Sequence, residues 1–325
     1  MTTGIPAAGP GDFFVCDFFA ASPKHDLASL EHPLFSLATR PDRRILNYTH
    51  NDVAVTVTPS VKGRATIFDA DILIFCISQL MAALNAGRAV SRQLTLTAHD
   101  LLLATGRETS GDAYRRLKEA FERLAGTRIT TNIVTGEREI TTGFGLIERW
   151  EIVRKTRAGR MVSVSVTLSE WIYEAVLARS VLTLSRAYFT LRRPLERRLY
   201  ALARKHCGQQ SGWRVSLEVL LKKSGSASPR RVFRAMVRDI IATDNLPDYK
   251  LEEEPGDIIS VTRRDTVVDE GGRLSLTPET LDEARRLAPG ADIYALEAEW
   301  QAFAARTPPR NADKAFLGWV ARKMN

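Results

Sequence analysis

Cysteine is scarce in this chain. Cys16, Cys76 and Cys207 are the only three in 325 residues, far apart and odd in number. No CxxC pair occurs, which removes the common zinc and redox motifs and points to a reducing compartment, the cytoplasm. Long apolar runs are missing too. The longest, ILIFCISQLMAAL from Ile72 to Leu84, is too short to cross a bilayer and contains Gln79, so it reads as a buried helix and no membrane partner is expected. MTTGIPAAGPGDFF at the start has no basic stretch followed by an apolar core, and so does not read as a secretory signal.

Catalytic motifs are equally sparse. There is no G-x(4)-G-K-[ST] phosphate loop, which excludes the common nucleotide-hydrolysing motors. His25, His32, His50, His99 and His206 never form the close pair that a metal-dependent nicking enzyme would use beside a nucleophilic tyrosine. His206 and Cys207 are adjacent, but no second pair follows to complete a tetrahedral site. Asp69 and Asp71, in FDADIL, read as an acidic helix start, and Tyr114 and Tyr200 as core aromatics. The expectation is a protein without metal, cofactor or catalytic residue, hence not an enzyme.

Positive charge is what the chain has in quantity, and it is unevenly placed. The net charge is +8, yet Arg186 to Asp239 alone holds fourteen Arg and Lys against Glu196, Glu218 and Asp239, a local +11. A concentrated basic segment points to a polyanionic partner.

The order of elements indicates which one. RILNYTHNDVAVTVTPS alternates on both sides of His50-Asn51-Asp52 like a β-hairpin closed at Gly63, and a helix is expected from Asp69 to Asn85. RQLTLT reads as a strand, Thr97 as the N-cap of a helix AHDLLLAT ending at Gly106. In SGDAYRRLKEAFERL, Ala113, Tyr114, Leu117, Ala120, Phe121 and Leu124 recur on one helical face, leaving Asp112, Arg115, Arg116, Glu119 and Arg123 outside. TRITTNI and REITTGFGLIERWEIV then read as strands joined by VTGE, a hairpin directly after the second helix. Helix, turn, helix, hairpin is the order of a winged helix-turn-helix.

The pattern repeats. A shift of 119 residues lays Leu101-Leu102 on Leu220-Leu221, Gly106 on Gly225, Tyr114 on Phe233, Arg115 on Arg234, Leu117 on Met236 and Phe121 on Ile240 without a gap. Pro194 to His206 supplies the second copy's first helix, and DYKLEEEPGDIISVTRR its hairpin, bent at Pro255-Gly256-Asp257. A further hairpin around RKTRAGRMVSVSV and a helix from Ser169 to Ala178 complete the first copy, with Ser180 to Leu191 as the connection. TVVDEGGR reads as a linker, and three short helices follow, with starts at Thr277-Pro278 and Asn311 and with Trp300 and Trp319 to pack them. The fold class expected is α+β: an N-terminal extension (1–40), two tandem winged helix-turn-helix domains (41–185 and 186–264) and a small helical C-terminal segment (265–325).

A recognition helix lies in the major groove while its flanks hold phosphates. On that reading Arg115, Arg116, Arg230, Arg231 and Arg234 face base edges, since the arginine fork reaches guanine O6 and N7 together. Ser110, Arg128, Lys222, Lys223 and Ser228 are the companion phosphate candidates, with Thr130, Thr131 and Asn132 beside Arg128 in the first wing. Arg115→Ala would then relax base specificity, and Lys223→Ala would weaken every sequence alike. The alternative for each is a solvated charge on an ordinary amphipathic helix, or for the threonines a plain strand former.

LEHPLFSLATRPD, GRATIFDADILIFCISQLMAAL, GDAYRRLKEAFERLAGTRITTNI, LERRLYALARKHCG and DKAFLGWV together resemble the plasmid replication initiator protein A family of bacteria, over Leu30 to Val320. The resemblance implies binding of double-stranded origin DNA, expected to be repeated. Strain on an AT-rich segment whose flexible steps open most easily would follow, then loading of the host replicative helicase. It also implies a homodimer that represses its own gene, for which the Asp71 to Leu84 helix or the second hairpin is a candidate surface. A transcriptional repressor with two winged helices and no origin opening is the alternative. A tyrosine-dependent nicking enzyme is a third, opposed by the missing histidine pair.

Overall fold

The computed structural model describes residues 23–50, 53–135, 138–154, 161–207, 212–264, 274, 276–288, 293–304, 309 and 311–324. The N-terminal segment with Cys16, residues 51–52, 136–137 and 155–160, and the whole linker expected at TVVDEGGR lie outside them. The chain divides into two compact units, residues 1–181 and 182–325.

The first unit opens with β1 (Lys24–Asp26) and α1 (Leu27–Glu31). The hairpin β2 (Leu46–His50) and β3 (Val53–Thr58) leads to α2 (Ala70–Asn85), then β4 (Gln93–Leu96), α3 (Ala98–Ala104) and α4 (Gly111–Gly126). Four strands follow, β5 (Arg128–Thr135), β6 (Arg138–Gly145), β7 (Ile147–Arg154) and β8 (Met161–Leu168), and α5 (Glu170–Leu177) ends the unit. Thirteen of the sixteen residues of α2 are buried, including Asp71, Ser78 and Gln79, so it is the central rod of this core rather than a free dimer surface. Leu117, Ala120, Phe121 and Leu124 turn one stripe of α4 inward, and Phe121 stacks on Trp150 of β7 at 5.8 Å. Asp69 and Asp71 flank the start of α2 as read, but they hold arginines: Arg123 of α4 bonds Asp69 at 2.7 and 2.8 Å, and Arg107 bonds Asp71 at 3.3 Å.

The hairpin that directly follows α4 departs from expectation. β5 and β6 do not join the sheet of β4; they extend the first hairpin into an antiparallel sheet of order β2-β3-β5-β6. The partners of β4 are β8 and β7, in order β4-β8-β7. Buried Val57 of β3 lies opposite buried Ile129 of β5, which gives β5 an apolar partner at that edge. Asn132 reinforces this: its side-chain oxygen accepts the Ala54 N–H at 2.6 Å, one residue beyond the last paired rung.

Strand β9 (Val181–Thr183) spans the division, and a 3₁₀ turn (Arg186–Thr190) opens the body of the second unit. It continues with α6 (Pro194–Cys207), β10 (Gly212–Ser216), α7 (Leu217–Ser224), α8 (Arg230–Thr243), β11 (Tyr249–Glu254) and β12 (Ile258–Arg263). The sheet order is β10-β12-β11. Both units therefore share one order, helix, strand, two helices and two strands, with the last strand central in the sheet; the first unit inserts β5 and β6.

The 119-residue offset holds through the first half of this repeat. Thr97 caps α3 through the Asp100 N–H, and Ser216 caps α7 through the Val219 N–H. Leu101 and Leu220 are both buried, and Gly106 and Gly225 both end their helices at positive φ (65° and 68°), where a Cβ would be strained. Beyond these glycines the offset changes to 116. The buried residues of α8 are Phe233, Val237 and Ile240, which match Leu117, Phe121 and Leu124. The expected pairing of Leu117 with Met236 fails, since Leu117 is 0% exposed and Met236 39%.

Three more helices, α9 (Pro278–Leu287), α10 (Ile293–Ala304) and α11 (Ala312–Met324), pack around Ala284, Trp300, Phe316 and Val320. The Thr277 N–H and hydroxyl both bond Asp313 (2.8 and 3.1 Å), tying the starts of α9 and α11. Within the second unit, Arg204 of α6 pairs with Glu279 and Thr183 bonds Asp282 at 3.0 Å. Among the described residues no helix is long and apolar enough to cross a membrane.

Candidate nucleic-acid interface

Most basic side chains of the +11 segment are already engaged. Arg197, Arg198, Arg204 and Lys223 are buried. Arg197 bonds the Leu191 carbonyl at 2.9 Å and lies over the Tyr188 ring, Arg198 bonds the Lys223 carbonyl at 2.6 and 3.1 Å, and Arg204 bonds the Thr183 carbonyl at 2.7 Å. These arginines fasten carbonyls inside the unit, so the formal charge overstates the surface field. Lys223 belongs to this correction: at 5% exposed it is not offered to a phosphate at the turn, whereas Lys222 is exposed and 3.1 Å from Glu218.

Helix α8 is different. Its sequence RRVFRAMVRDIIAT is net +3, and no acidic residue stands in its first turn to meet the positive end of the helix dipole. With Phe233, Val237 and Ile240 turned inward, Arg231, Ala235 and Arg238 fall on the opposite face at helical spacing and all three are exposed. Arg231 has no ion-pair partner among the described residues, whereas Arg238 bonds Glu253 of β11 at 2.6 and 3.0 Å. Arg230 and Arg234 converge on Asp257 at the hairpin bend, at 2.6 and 2.5 Å. Val232 (44% exposed) and Met236 border the arginines. The sequence reading missed both, because the offset of 119 placed Met236 in the core; the burial repeat of α8 itself was the signal.

In the first unit α4 is less free. Its net charge is +1, and Arg115, opposite the buried stripe, bonds Asp112 at 3.1 Å and Glu119 at 3.0 Å. Arg116 also bonds Asp112, at 2.5 Å, and the two guanidinium groups hold that carboxyl below the usual carboxylate range. Ser110 is the N-cap of α4, its hydroxyl accepting from the Ala113 N–H. Arg128 is exposed at the first position of β5, one residue past α4's C-cap. Between α7 and α8 the Ser224 hydroxyl accepts the Ser226 N–H and the Ser226 hydroxyl the Ser228 N–H, each at 3.2 Å, so the loop is fastened by its own side chains. The Ser228 hydroxyl itself lies 3.9 Å from the Met236 sulfur.

The structure thus brings Arg230, Arg231, Arg234 and Ser228 together at the start of α8, and Ser110, Arg115 and Arg116 at the start of α4. Among the described residues no group of three or more His, Cys, Asp and Glu is placed to hold a metal ion. His206 stacks on Trp213 at 4.3 Å, and burial pushes the Cys207 thiol up to about 11.

Comparison with known proteins bears on the fold and the family. A crystal structure of domains 2 and 3 of RctB superposes with a TM-score of 0.55 at 14% identity, covering 73% of this chain and 98% of that one, which makes the mixed α+β fold similar to that pair of domains. A second RctB structure, of the same domains, gives a TM-score of 0.45 at 16% identity, with coverages of 71% and 94%. In sequence, the chain is 34% identical over 258 residues, 78% of its length and 94% of the relative's, to a protein of Wigglesworthia glossinidia brevipalpis named "Putative replication protein". The profile of replication initiator protein A matches residues 24–251. The chain belongs to the replication initiator protein A family.

Proposed function

We propose that this protein initiates plasmid replication in the bacterial cytoplasm by binding duplex origin DNA through two winged-helix modules. One comprises α2, β4, α3 and α4 with hairpin β7–β8; the other comprises α6, β10, α7 and α8 with hairpin β11–β12. In each, the third helix takes the recognition place and the hairpin is the wing. The observation that carries this reading is the outer face of α8. Exposed arginines can bond guanine edges there, and Val232 and Met236 beside them can meet thymine methyl groups. The charge difference between the helices makes α8 the principal reader and α4 the weaker one.

Occupying adjacent repeats would strain the neighbouring AT-rich segment, which opens at its flexible steps, and the host helicase would load there. On this reading the protein acts by binding. As a homodimer it would occupy its own promoter. DNase I footprinting across the replicon that carries the gene, at near-physiological salt with competitor DNA, tests this when followed by permanganate probing. Protected repeats beside newly reactive thymines are the expected result. Protection limited to the gene's promoter, without reactive thymines, would make the protein a repressor instead.

A further inference from the structure

Each candidate reading helix has two arginines closed onto one carboxylate, and the two carboxylates come from different places. In the first unit it is Asp112, on α4 itself, which accepts from Arg115 and Arg116. In the second it is Asp257, at the bend between β11 and β12, which accepts from Arg230 and Arg234. Both carboxylates are partly exposed, and exposed pairs of this kind add little to stability because water and salt screen them, so the folded state alone is a weak reason for them. A carboxylate beside a DNA-facing helix also repels phosphate, so its presence calls for a compensating role.

We propose that Asp112 and Asp257 are specificity-determining positioning residues for DNA. Each holds a pair of guanidinium groups in one conformation and keeps a negative charge next to them. A duplex engages these arginines only when its base edges and phosphates together replace the bonds that the carboxylate gives up. A random sequence offers phosphates without the matching base edges and is bound less well. This inference rests on the reading of α4 and α8 as helices that face DNA.

Asp257 allows the cleaner substitution, since Asp112 also stands in the first turn of α4, where its charge meets the helix dipole. Asp257 has φ of 60°, a conformation that asparagine also tolerates, and its contact with α7 is made by its main-chain oxygen, which accepts the Leu217 N–H at 2.8 Å. Asp257→Asn therefore removes charge and leaves the hairpin bend in place.

The experiment compares full-length protein, Asp112→Asn, Asp257→Asn, the double variant and Asp257→Glu by fluorescence anisotropy over a KCl series. Two probes are used: a duplex enriched by the wild-type protein from a randomised pool, and the unselected pool. For each Asn variant the expected result is tighter binding of the unselected pool, a salt slope steeper by about one, and a selected-to-unselected affinity ratio about tenfold smaller. Asp257→Glu should restore part of that ratio. An unchanged ratio overturns the proposal, as does a parallel loss on both probes together with a lower melting temperature, the mark of a purely structural role. If the wild-type protein enriches no sequence, the DNA reading itself fails and takes the positioning role with it. If it enriches one and the variants keep its ratio, the positioning role alone fails.

Discussion

Arg231 stands on the outer face of α8, opposite Phe233, Val237 and Ile240, with no ion-pair partner among the described residues. Arg115 stands in the matching place on α4 but is bonded to Asp112 and Glu119. The two should therefore respond differently. Arg231→Ala is expected to cost about 1–3 kcal/mol of discrimination between the selected duplex and its single-base variants, with a smaller loss for Arg115→Ala, measured by competition binding. Lys222→Ala should weaken all duplexes alike and lower the salt slope by about one, while Lys223→Ala should leave the slope unchanged because that side chain is buried. Residue type and helical spacing were enough to place Arg115, Arg230, Arg231 and Arg234 outside the buried stripes of α4 and α8. They could not tell Lys222 from Lys223, because neighbouring lysines differ only in which side of α7 meets α6, where Arg198 reaches the Lys223 carbonyl.

At the scale of elements, short-range chemistry does most of the specifying. Thr97 and Ser216 start equivalent helices because a hydroxyl accepts the N–H three residues on, and Gly106 and Gly225 end them because the chain turns at positive φ. Ser216→Ala is expected to lower stability by about 1 kcal/mol in urea unfolding, and Thr97→Ala to do the same in its own unit. Such signals are local and were legible in the sequence, as were both hairpins after α4. Their pairing was not. Alternation tells that β5, β6, β7 and β8 are strands, but Val57 opposite Ile129 and Leu94 opposite Val166 are contacts between segments distant in sequence, and they decide which hairpin joins β4. The three-residue change of offset after Gly106 and Gly225 has a similar origin. Buried faces are set by the packing of each helix, which an ungapped alignment does not see.

For the molecule as a whole, buried charge makes stability depend on pH. Asp42 bonds Arg44 at 2.9 Å and buried Arg64 at 3.0 Å, and these guanidinium groups hold its carboxyl well below the usual range; for Asp26 burial pushes up, but the bonds from His25 and Ser29 outweigh it and lower that carboxyl too. A carboxylate depressed in the folded state adds stability that is complete above its unfolded pKa, near 4, and is lost as pH falls toward the folded value. Urea midpoints for full-length protein should accordingly be flat from neutral pH to about 5 and fall below about 4. Asp42→Ala should cost about 3–5 kcal/mol at neutral pH, since it leaves Arg64 buried without its counter-charge. Cys76 and Cys207 are buried, with thiols pushed up to about 12 and about 11. In a Cys16→Ser background, iodoacetamide should modify neither in the native protein and both after unfolding. The sequence by itself determined the α+β class, the twofold use of one helix-strand pattern, the helix caps and the family, because these depend on residue order and local bonding. Only the tertiary structure decided that β5 and β6 form a separate sheet with β2 and β3, and that Arg197, Arg198, Arg204 and Lys223 face inward. Those outcomes arise from packing between segments far apart in the chain, where shape and burial rather than residue type choose the partner.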